Sequence, residues 1–286
     1  MSQDRHPMSP RLDHCPEGLP KRAYLSPDWY DREMAAVFGS QWICAGRLAD
    51  LAPGSMRRVQ VGHGDVVLCH ADNGTISAFH NSCRHRGSEL CRAAVEPLGK
   101  LLRCPYHAWA YDARDGRLVA TGPARPTDDF DRAAHGLVPM AHRLWNGFLF
   151  LNGSSETGPI WSDVPLTTLD NWPMADLLTG HHWEHEIACN WKSFWENYSE
   201  CLHCPGIHPE LCDLVPIYKT GVMAASEALG WTPADSPLRN LKPGAESWTL
   251  SGAPCGPVFA GLTPAERDTG HRFVTLWPSV YLVAQF

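Results

Sequence analysis

Residues 83–107, CRHRGSELCRAAVEPLGKLLRCPYH, carry two short ligand motifs separated by eighteen residues. The first motif is C-x-H, formed by Cys83 and His85, and the second is C-x-x-H, formed by Cys104 and His107. Each motif supplies one thiolate and one imidazole from a loop that follows a strand-like segment. Two metal sites use this set of groups. One is a tetrahedral zinc site, and the other is a Rieske cluster, in which two cysteines hold one iron and two histidines hold the other.

The bulk composition is that of a globular protein, and 286 residues are enough for two domains. The net charge of −7 and the lack of a lysine or arginine run argue against nucleic acid as a partner. The chain begins MSQDRHPMSP, without an apolar leader, and no apolar run reaches membrane-spanning length. We therefore expect a cytoplasmic protein with no membrane partner. Eleven cysteines, an odd number, favour reduced thiols and metal ligation over a secreted disulfide framework.

The first half of the chain predicts a helix followed by a β domain. Residues 26–39, SPDWYDREMAAVFG, have a serine cap at the start and a glycine at the end. Strand-like segments then flank an Asn-Gly pair at 73–74 and an Asp-Gly pair at 115–116, which are hairpin signals. GFLFLN, residues 147–152, reads as a buried strand. The sequence thus predicts one sandwich-like β domain over residues 45–155.

The second half predicts a mixed domain after a linker, GSSETGP. TTLDNWPMADLL is expected to be helical in part, HWEHEIAC to be a strand, and NWKSFWENYSECLHC to be a helix interrupted by Pro205 and Gly206. Long loops are expected up to about residue 265, and strands over HRFVTLWPSVYLVAQF. The chain stops inside this apolar run, which favours a fragment of a longer protein.

A second cluster of ligand-type residues lies in ENYSECLHCPGIHPELC, residues 196–212. Glu200, His203 and His208 give the pattern E-x-x-H-x-x-x-x-H. On a helix Glu200 and His203 would share a face, and the Pro-Gly break would let His208 fold back toward them. Two imidazoles with a carboxylate leave open positions on iron(II). By itself this spacing is also typical of ordinary structural histidines.

Both clusters resemble one family, the Rieske non-haem iron oxygenases. NSCRHRGSELC and RCPYHAWAYD resemble the Rieske loops, with Ala108 where the family usually has glycine. NWKSFWENYSECLHCPGIHPE, residues 190–210, resembles the catalytic helix of the alpha subunits, with Leu202 where a tyrosine is usual. The resemblance covers nearly the whole chain. It favours the two-iron cluster over zinc at the upstream motif.

The resemblance implies a role for each candidate residue. A [2Fe-2S] cluster would be held by four ligands: Cys83, His85, Cys104 and His107. His203 and His208 would bind a mononuclear Fe(II), and Glu200 would couple electron transfer from the cluster of a neighbouring subunit. The family adds a carboxylate ligand on a late helix. The sequence does not locate it, since the candidates Glu246, Glu266 and Asp268 lie in loop-like sequence.

The fold implied is α+β, with a β-rich Rieske [2Fe-2S] domain and an incomplete helix-grip catalytic domain. In the latter, an antiparallel sheet would curve around a long helix. The domains expected are 1–44, an N-terminal helical segment packing on the catalytic domain, then 45–155, the Rieske domain, and 160–286, the catalytic domain, incomplete at its C-terminus.

The function implied is the terminal oxygenase of a multicomponent Rieske monooxygenase. A separate flavin and iron–sulfur reductase would supply electrons from NAD(P)H, O₂ would be the co-substrate, and the oxygenase would be a homotrimer. The pair Glu200-Cys201 is typical of members that act on quaternary ammonium compounds such as glycine betaine and carnitine. Two alternatives stay open at this point: an oxygenase for an aromatic or other organic acid, and a Rieske electron carrier or inactive fragment.

A quaternary ammonium ion has no N–H to donate, so aromatic faces would have to recognise it. The candidates beside the iron helix are Trp195 and Tyr198, and those in the following loops are Trp231, Trp248 and Phe259. Simple core packing is the alternative for each of them. Cys201, Cys204 and Cys212 are expected to pack rather than bind metal, since a thiolate would compete for the open position on iron.

Overall fold

The computed structural model describes residues 17–154, 169, 171–220, 241–269 and 271–285, which fall into two units. The β unit comprises residues 31–166 and 173–183, and the helical unit comprises residues 1–30, 167–172 and 184–286. Most of the predicted linker and the candidate Trp231 lie outside the described residues. Among the residues described, no helix is both long and apolar enough to cross a bilayer.

The β unit consists of three antiparallel sheets, with strand orders β1-β10-β9, β4-β3-β2-β5 and β6-β7-β8. Short 3-10 turns occur at Leu48–Asp50, Ala133–His135 and Met174–Asp176. The strands are β1 (Ile43–Arg47), β2 (Ser55–Val61), β3 (Gly64–His70), β4 (Ile76–His80), β5 (Val95–Pro97), β6 (Leu101–Arg103), β7 (Trp109–Asp112), β8 (Leu118–Thr121), β9 (Ala141–Trp145) and β10 (Phe148–Asn152).

Strand β3 lies at the centre of the β unit because both of its faces are buried. Val66 and Leu68 pack into a core with residues of β1 and β10, whereas Val67 and Cys69 pack into a second core with residues of β6 and β7. Successive side chains on a strand point to opposite faces, so one apolar run serves both cores. The second core also contains the ligand residues Cys83 and Cys104.

The predicted hairpins are confirmed. β3 pairs with β4 across residues 73–74, and β7 pairs with β8 across residues 115–116. Gly116 is required there: its φ of 76° is in the left-handed region, and a Cβ would lie 2.5 Å from the ring of Phe79. The predicted strand at 147–152 is β10.

The predicted helix at 26–39 is confirmed. Helix α2 (Pro27–Glu33) begins after Ser26 and continues as a π-helical turn over Met34–Phe38 that ends before Gly39, and a separate turn, α1 (Arg22–Leu25), precedes it. The N–H of Ser26 still bonds to the carbonyl of Arg22, and the N–H of Tyr30 to the carbonyl of Ser26. Pro27 therefore falls in a first turn, where its missing N–H costs nothing.

The helical unit contains short helices and one described strand pair. Its elements are α3 (Trp191–Tyr198), α4 (Cys204–Ile207), α5 (Pro209–Leu214), a 3-10 segment (Pro216–Thr220), α6 (Pro264–Thr269), β11 (His271–Leu276) and β12 (Val280–Gln285). β11 and β12 are antiparallel, as predicted for the last segment. Together with the β unit this agrees with the α+β class, although α3 is much shorter than the long helix expected.

Two predictions in this region are wrong. Residues 182–189 form no strand, because Trp183 and Ile187 are exposed like their polar neighbours and the segment has no buried face. The catalytic helix ends at Tyr198 rather than continuing to Cys204. Pro205 and Gly206 do not break a helix but lie inside α4, where proline occupies the first turn.

Glu266 holds the start of α6 against a loop of the same unit. This residue is only 5% exposed. Oε2 accepts from the Thr263 N–H (2.8 Å), the Thr263 hydroxyl (2.8 Å) and Asn171 Nδ2 (2.9 Å), and Oε1 accepts from Trp172 Nε1 at 3.3 Å. Burial raises the pKa of Glu266, but these hydrogen bonds outweigh it, and the pKa lies below its usual value.

We predict that Glu266→Gln lowers the free energy of unfolding of the helical unit by about 1–3 kcal/mol. The amide NH₂ group would replace one carboxylate oxygen, and either oxygen accepts at least one of the four hydrogen bonds. The folded-state pKa is depressed, so this contribution is present above the unfolded pKa and is lost as the pH falls through the folded value. Urea unfolding monitored by tryptophan fluorescence should therefore show a constant difference between the two proteins down to about pH 4.3, the ordinary glutamate pKa, and convergence below it. Glu246→Gln, at an exposed glutamate, is the control. Equal stability of all three proteins would contradict the prediction.

Candidate metal centres

The two upstream motifs lie on tight loops after β4 and β6. In the first loop, the N–H of Cys83 donates to the carbonyl of Ser88 at 2.8 Å. In the second, the N–H of Cys104 donates to the carbonyl of Trp109, also at 2.8 Å. Each loop therefore folds back on itself immediately at its cysteine. This brings both ligand pairs of the sequence motif to one end of the β unit.

The two cysteines of these motifs are more deeply buried than the two histidines. Cys83 and Cys104 are 3% and 2% exposed, whereas His85 is exposed and His107 is half-buried. The rings of the two histidines are edge to face at 73°, with centroids 4.7 Å apart. Two buried thiols and two outer imidazoles fit the ligand division of a two-iron cluster.

One further observation fits metal ligation at this site. Nδ1 of His107 is buried and has no hydrogen-bond partner within the described part of the chain, so its lone pair can bind a metal.

The surroundings favour the metal-binding protonation states of Cys104 and His85, whereas burial raises the pKa of the Cys83 thiol. Burial raises the pKa of the Cys104 thiol, but the N–H groups of Tyr106 and His107 that point at its sulfur outweigh burial and lower the pKa overall. Desolvation, together with the positive charges of His107 and Arg86, lowers the pKa of His85. A thiolate and a neutral imidazole are the ligand forms of these side chains.

Tyr111 is a residue near the cluster that the motif analysis did not single out. It is fully buried on β7, and its hydroxyl accepts the Arg84 N–H at 3.1 Å. The same hydroxyl lies 3.1 Å from the sulfur of Cys83. Because the hydroxyl oxygen already accepts from Arg84, its proton is available to the sulfur. Tyrosine at this strand position was visible in RCPYHAWAYD, but only the fold brings it to Cys83.

The alanine at position 108 adopts a conformation that normally favours glycine. Ala108 has a φ of 58°, in the left-handed region, where a side chain costs about 1 kcal/mol. This is the physical reason for the glycine expected here from the resemblance. Gly122 lies close by, and a Cβ at that position would come within 2.2 Å of the His107 carbonyl oxygen. The histidine loop can therefore pack closely only against glycine.

The downstream motif forms around Glu200. Oε1 of Glu200 lies 2.6 Å from Nδ1 of His203, and Oε2 accepts the N–H of Leu202. Burial raises the pKa of Glu200, but the hydrogen bonds from His203 and Leu202 outweigh it, so the pKa lies below its usual value. The ionised carboxylate holds a proton on Nδ1, which leaves Nε2 of His203 as the nitrogen with a lone pair.

His203 and His208 are brought together by a different local structure from the one predicted. Glu200 is not helical, and His203 is the residue before α4. The N–H of His208 bonds to the carbonyl of Cys204 at 2.9 Å. The one-turn helix α4 thus links the two histidines, whose ring centroids are 5.3 Å apart. Two imidazoles in this arrangement fit the two histidine ligands of a mononuclear iron.

A cavity of about 310 Å³ lies beside the two histidines. Its wall combines metal-ligand, aromatic, cysteine, amide and aliphatic side chains. The lining residues are Asn197, Tyr198, Glu200, Cys201, His203, Cys204, His208, Leu211, Tyr218, Trp248 and Val283.

Of the four aromatic candidates that the structure describes, two line the cavity and two do not. Tyr198 and Trp248 line the cavity. Trp195 does not: its Nε1 donates to the Pro278 carbonyl at 2.9 Å, and its ring packs on Tyr281. Phe259 is also outside the lining residues. Tyr218 is a lining residue that the sequence analysis missed, since no motif surrounds it.

The cysteines of this region are not all free thiols. Cys201 and Cys204 form a disulfide, whereas Cys212 is a buried free cysteine in the same apolar cluster. All three cysteines pack in this cluster, as expected, but the disulfide departs from the expectation of reduced thiols.

The third iron ligand is not found among the candidates. Glu246 is exposed and Glu266 is committed to its hydrogen bonds at α6, and the side chain of Asp268 is outside the described part. Within the described residues, Glu200 is the carboxylate at the histidine pair.

Two family descriptions match this chain. Residues 41–135 match the Rieske [2Fe-2S] domain, and residues 174–285 match the catalytic domain of the ring-hydroxylating alpha subunits. The first range contains all four upstream ligands, and the second contains both histidines of the downstream motif.

Several known proteins are similar to the chain. The glycine betaine monooxygenase oxygenase subunit of Chromohalobacter salexigens is 39% identical over 198 residues, which cover 68% of this chain and 43% of that protein. The carnitine monooxygenase oxygenase subunit of Escherichia coli K12 is 29% identical over 70% of this chain and 54% of that protein. The quaternary ammonium Rieske monooxygenase CntA in complex with L-carnitine has a TM-score of 0.62 and 28% identity over 68% of this chain and 56% of that chain. The chain spans about half the length of the curated relatives it matches.

We predict that Tyr111→Phe lowers the reduction potential of the cluster by about 50 mV. The hydroxyl stabilises the more negative, reduced state, and a hydrogen bond to a charged group is worth about 1.5 kcal/mol, which corresponds to roughly 60 mV for one electron. A redox titration followed by electron paramagnetic resonance measures the change. Tyr106→Phe, which removes an exposed hydroxyl, is the control and should leave the potential unchanged. Equal potentials in both variants would mean that the Tyr111 hydroxyl does not donate to the sulfur.

Proposed function

This chain belongs to the Rieske-type oxygenase alpha subunits, and from that premise we propose that it is the terminal oxygenase component of a monooxygenase for quaternary ammonium compounds. The proposed reaction is the O₂-dependent hydroxylation of an N-methyl group in a substrate such as glycine betaine or carnitine. The N-hydroxymethyl product loses formaldehyde, so the net result is demethylation of the nitrogen.

The observation that carries this proposal is the aromatic wall of the cavity beside His203 and His208. Tyr198, Tyr218 and Trp248 line it, and the rings of Tyr218 and Trp248 stand at 72° with centroids 5.7 Å apart. A trimethylammonium group offers no hydrogen-bond donor, and aromatic faces bind such a cation through their negative quadrupole. Among the described lining residues there is no lysine or arginine to balance the charge of an aromatic acid, which, unlike a betaine, has no cation of its own.

The carboxylate of a betaine-type substrate needs a separate partner. The hydroxyl of Tyr198 is buried and makes no hydrogen bond within the described part of the chain. Asn197, the preceding residue, also lines the cavity. Both can donate to a carboxylate oxygen, so the cavity can bind a zwitterion with its cationic end on the aromatic faces.

The proposed roles of the metal ligands follow from their positions. Cys83 and Cys104 would hold the inner iron of the [2Fe-2S] cluster, and His85 and His107 the outer iron. When bound, the cluster supplies electrons, and the mononuclear iron activates O₂ for insertion of one oxygen atom into a C–H bond.

The residues around the mononuclear iron site orient its ligands and exclude water. Glu200 keeps the proton on Nδ1 of His203. The hydrogen bond from the His208 N–H to the Cys204 carbonyl fixes the backbone from which the His208 ring extends. Leu211 and Val283 add apolar wall to the cavity and keep it poor in water near the substrate methyl group.

The electron donor proposed is a flavin and iron–sulfur reductase that uses NAD(P)H, and the assembly proposed is a homotrimer. We also propose a cytoplasmic location and the three domains expected from the sequence, with boundaries at 1–44, 45–155 and 160–286. For the related CntA enzyme, inter-subunit electron transfer has been described. In this chain the corresponding role is proposed for Glu200, whose second oxygen bonds to the Leu202 N–H within the chain.

Two alternatives are separated by simple measurements. An oxygenase for aromatic or other organic acids would bind an aromatic carboxylate more tightly than a betaine. A Rieske electron carrier would hold about two irons per chain, whereas an oxygenase would hold about three.

We predict that Trp248→Leu weakens the binding of glycine betaine or carnitine by about 3- to 30-fold, because a cation–π contact in a desolvated site is worth about 0.5–2 kcal/mol. Binding of the isostere in which carbon replaces the quaternary nitrogen should change much less. Calorimetric titration of both ligands measures the difference, with Trp183→Leu at an exposed tryptophan as the matched control. Equal loss for the charged and uncharged ligands would remove the cation-binding role of Trp248.

We predict that Glu200→Gln retains both metal groups and loses most of the substrate-dependent formaldehyde release. Glutamine can still accept from Nδ1 of His203 but carries no charge to orient the proton, and partners of this kind are worth about 10- to 100-fold. Metal analysis should still give about three irons per chain. Loss of the mononuclear iron alone would instead make Glu200 a ligand.

A further inference from the structure

Trp109 covers one face of the His85 ring. The two ring planes are within 10° of parallel, and their centroids lie 4.8 Å apart. This is the offset-stacked arrangement that aromatic rings prefer at such distances. The two side chains differ in burial, because Trp109 is 7% exposed and belongs to the second core, whereas His85 lies at the surface. A core side chain therefore packs on the exposed histidine of the first ligand motif.

The stack takes the place of a hydrogen bond at His85. A ligating histidine usually donates its second ring N–H to a nearby acceptor, and this hydrogen bond fixes the orientation of the ring. His203 has such a partner in Glu200. Within the described part of the chain, no hydrogen bond reaches the ring of His85. The orientation of this ring therefore depends on the side chains that touch its face and its edge.

The indole of Trp109 is itself held at its edges. The rings of Phe130 and His135 meet it at 82° and 69°, each with a centroid distance of 6.0 Å. Nδ1 of His135 lies 2.7 Å from the carbonyl oxygen of Asp131, which holds that ring in turn. In a close-packed interior the indole cannot turn without displacing these neighbours. It is therefore a fixed surface for His85.

We propose that Trp109 is a positioning residue for the [2Fe-2S] cluster, because its indole sets the plane of the His85 ring and, through that ring, the reduction potential. The inference rests on the proposed ligation of the outer iron by His85. The face of an indole carries negative charge and attracts a positively charged group. A ligand ring carries more positive charge on the oxidised cluster than on the reduced one. Stacking therefore favours the oxidised state, and loss of the indole raises the reduction potential.

The first experiment is a redox titration of the full chain with its cluster, followed by electron paramagnetic resonance. At a fixed solution potential we expect Trp109→Leu to raise the ratio of reduced to oxidised cluster about two- to fivefold, the size of a cation–π contact at an exposed site. Trp109→Phe keeps a smaller aromatic face, so its ratio should lie between those of the leucine variant and the unaltered chain. If the leucine variant holds no cluster, the phenylalanine variant decides. A ratio equal to that of the unaltered chain overturns the proposal.

The second experiment measures ring orientation directly. Pulsed electron paramagnetic resonance of the reduced cluster resolves the coupling of the electron spin to the nitrogens of its histidine ligands, and this coupling depends on how each ring is turned. We expect Trp109→Leu to change the nitrogen coupling of His85, because the ring loses the face that holds it. Unchanged couplings would overturn the positioning role even if the reduction potential shifts.

Leu137→Ala is the matched control for lost core packing. Leu137 is buried in the same core, but its N–H donates to the carbonyl of Gly116, in the turn at the opposite end of the β7–β8 hairpin from Trp109. We expect this variant to lose stability while its reduction potential and nitrogen couplings stay those of the unaltered chain. Changes as large as those of Trp109→Leu would mean that core packing sets both quantities, and would overturn the proposal.

Neither measurement uses substrate, so the outcomes separate this inference from the proposed function. A reduction potential that depends on Trp109, in a chain that releases no formaldehyde, would support the inference and count against the proposed oxygenase. A potential and couplings that do not depend on Trp109, in a chain that demethylates a betaine, would overturn the inference alone. A chain that assembles no cluster would contradict both.

Discussion

The carboxylate of Glu200 is the group on which the downstream metal site depends. Helix α3 ends at Tyr198, and the N–H of Ser199 makes its last helical hydrogen bond, to the carbonyl of Trp195. Glu200 lies in the turn that follows, with one oxygen on the Leu202 N–H and the other on Nδ1 of His203. One side chain therefore stabilises the turn after the helix and also selects the nitrogen that His203 presents. The next helical turn, α4, extends this order to His208 through the carbonyl of Cys204.

The upstream site depends on a different constraint, the alternation of side chains along strands. β3 and β7 are buried on both faces, so the ligand loops pack against a well-ordered core. The two cysteines belong to that core, and the two histidines lie nearer to solvent. Tyr111 shows the consequence most directly, because its place on a fully buried strand fixes its hydroxyl between Cys83 and the Arg84 N–H. Burial of the sulfur side and exposure of the imidazole side suit a centre that receives electrons at the surface.

The cavity beside His203 and His208 combines two kinds of chemistry within a small volume. Aromatic faces suit a cation without donors, and imidazoles suit iron. Both need a cavity without competing ligands. The disulfide of Cys201 and Cys204 meets this need, because free thiols would be strong metal ligands and disulfide sulfurs carry no charge.

Most of the β unit could be predicted from the sequence, and the proposed metal ligands come from its motifs. The hairpins at 73–74 and 115–116 follow from local turn chemistry, and the C-x-H and C-x-x-H motifs are specific because few other sites need that set of groups. The extent of the catalytic helix could not be predicted, because the turn beyond it contains a side-chain contact, from Glu200 to the Leu202 N–H, that helix propensity does not record. The strand expected at 182–189 failed because alternation creates a strand only where a partner buries one face. The cavity wall needed the tertiary structure: Tyr218 and Trp248 are thirty residues apart in the chain and join Tyr198 only by packing. Metal ligation is a property of residue type and short spacing, which a sequence records, whereas cavity shape depends on contacts between distant residues that only folding brings together.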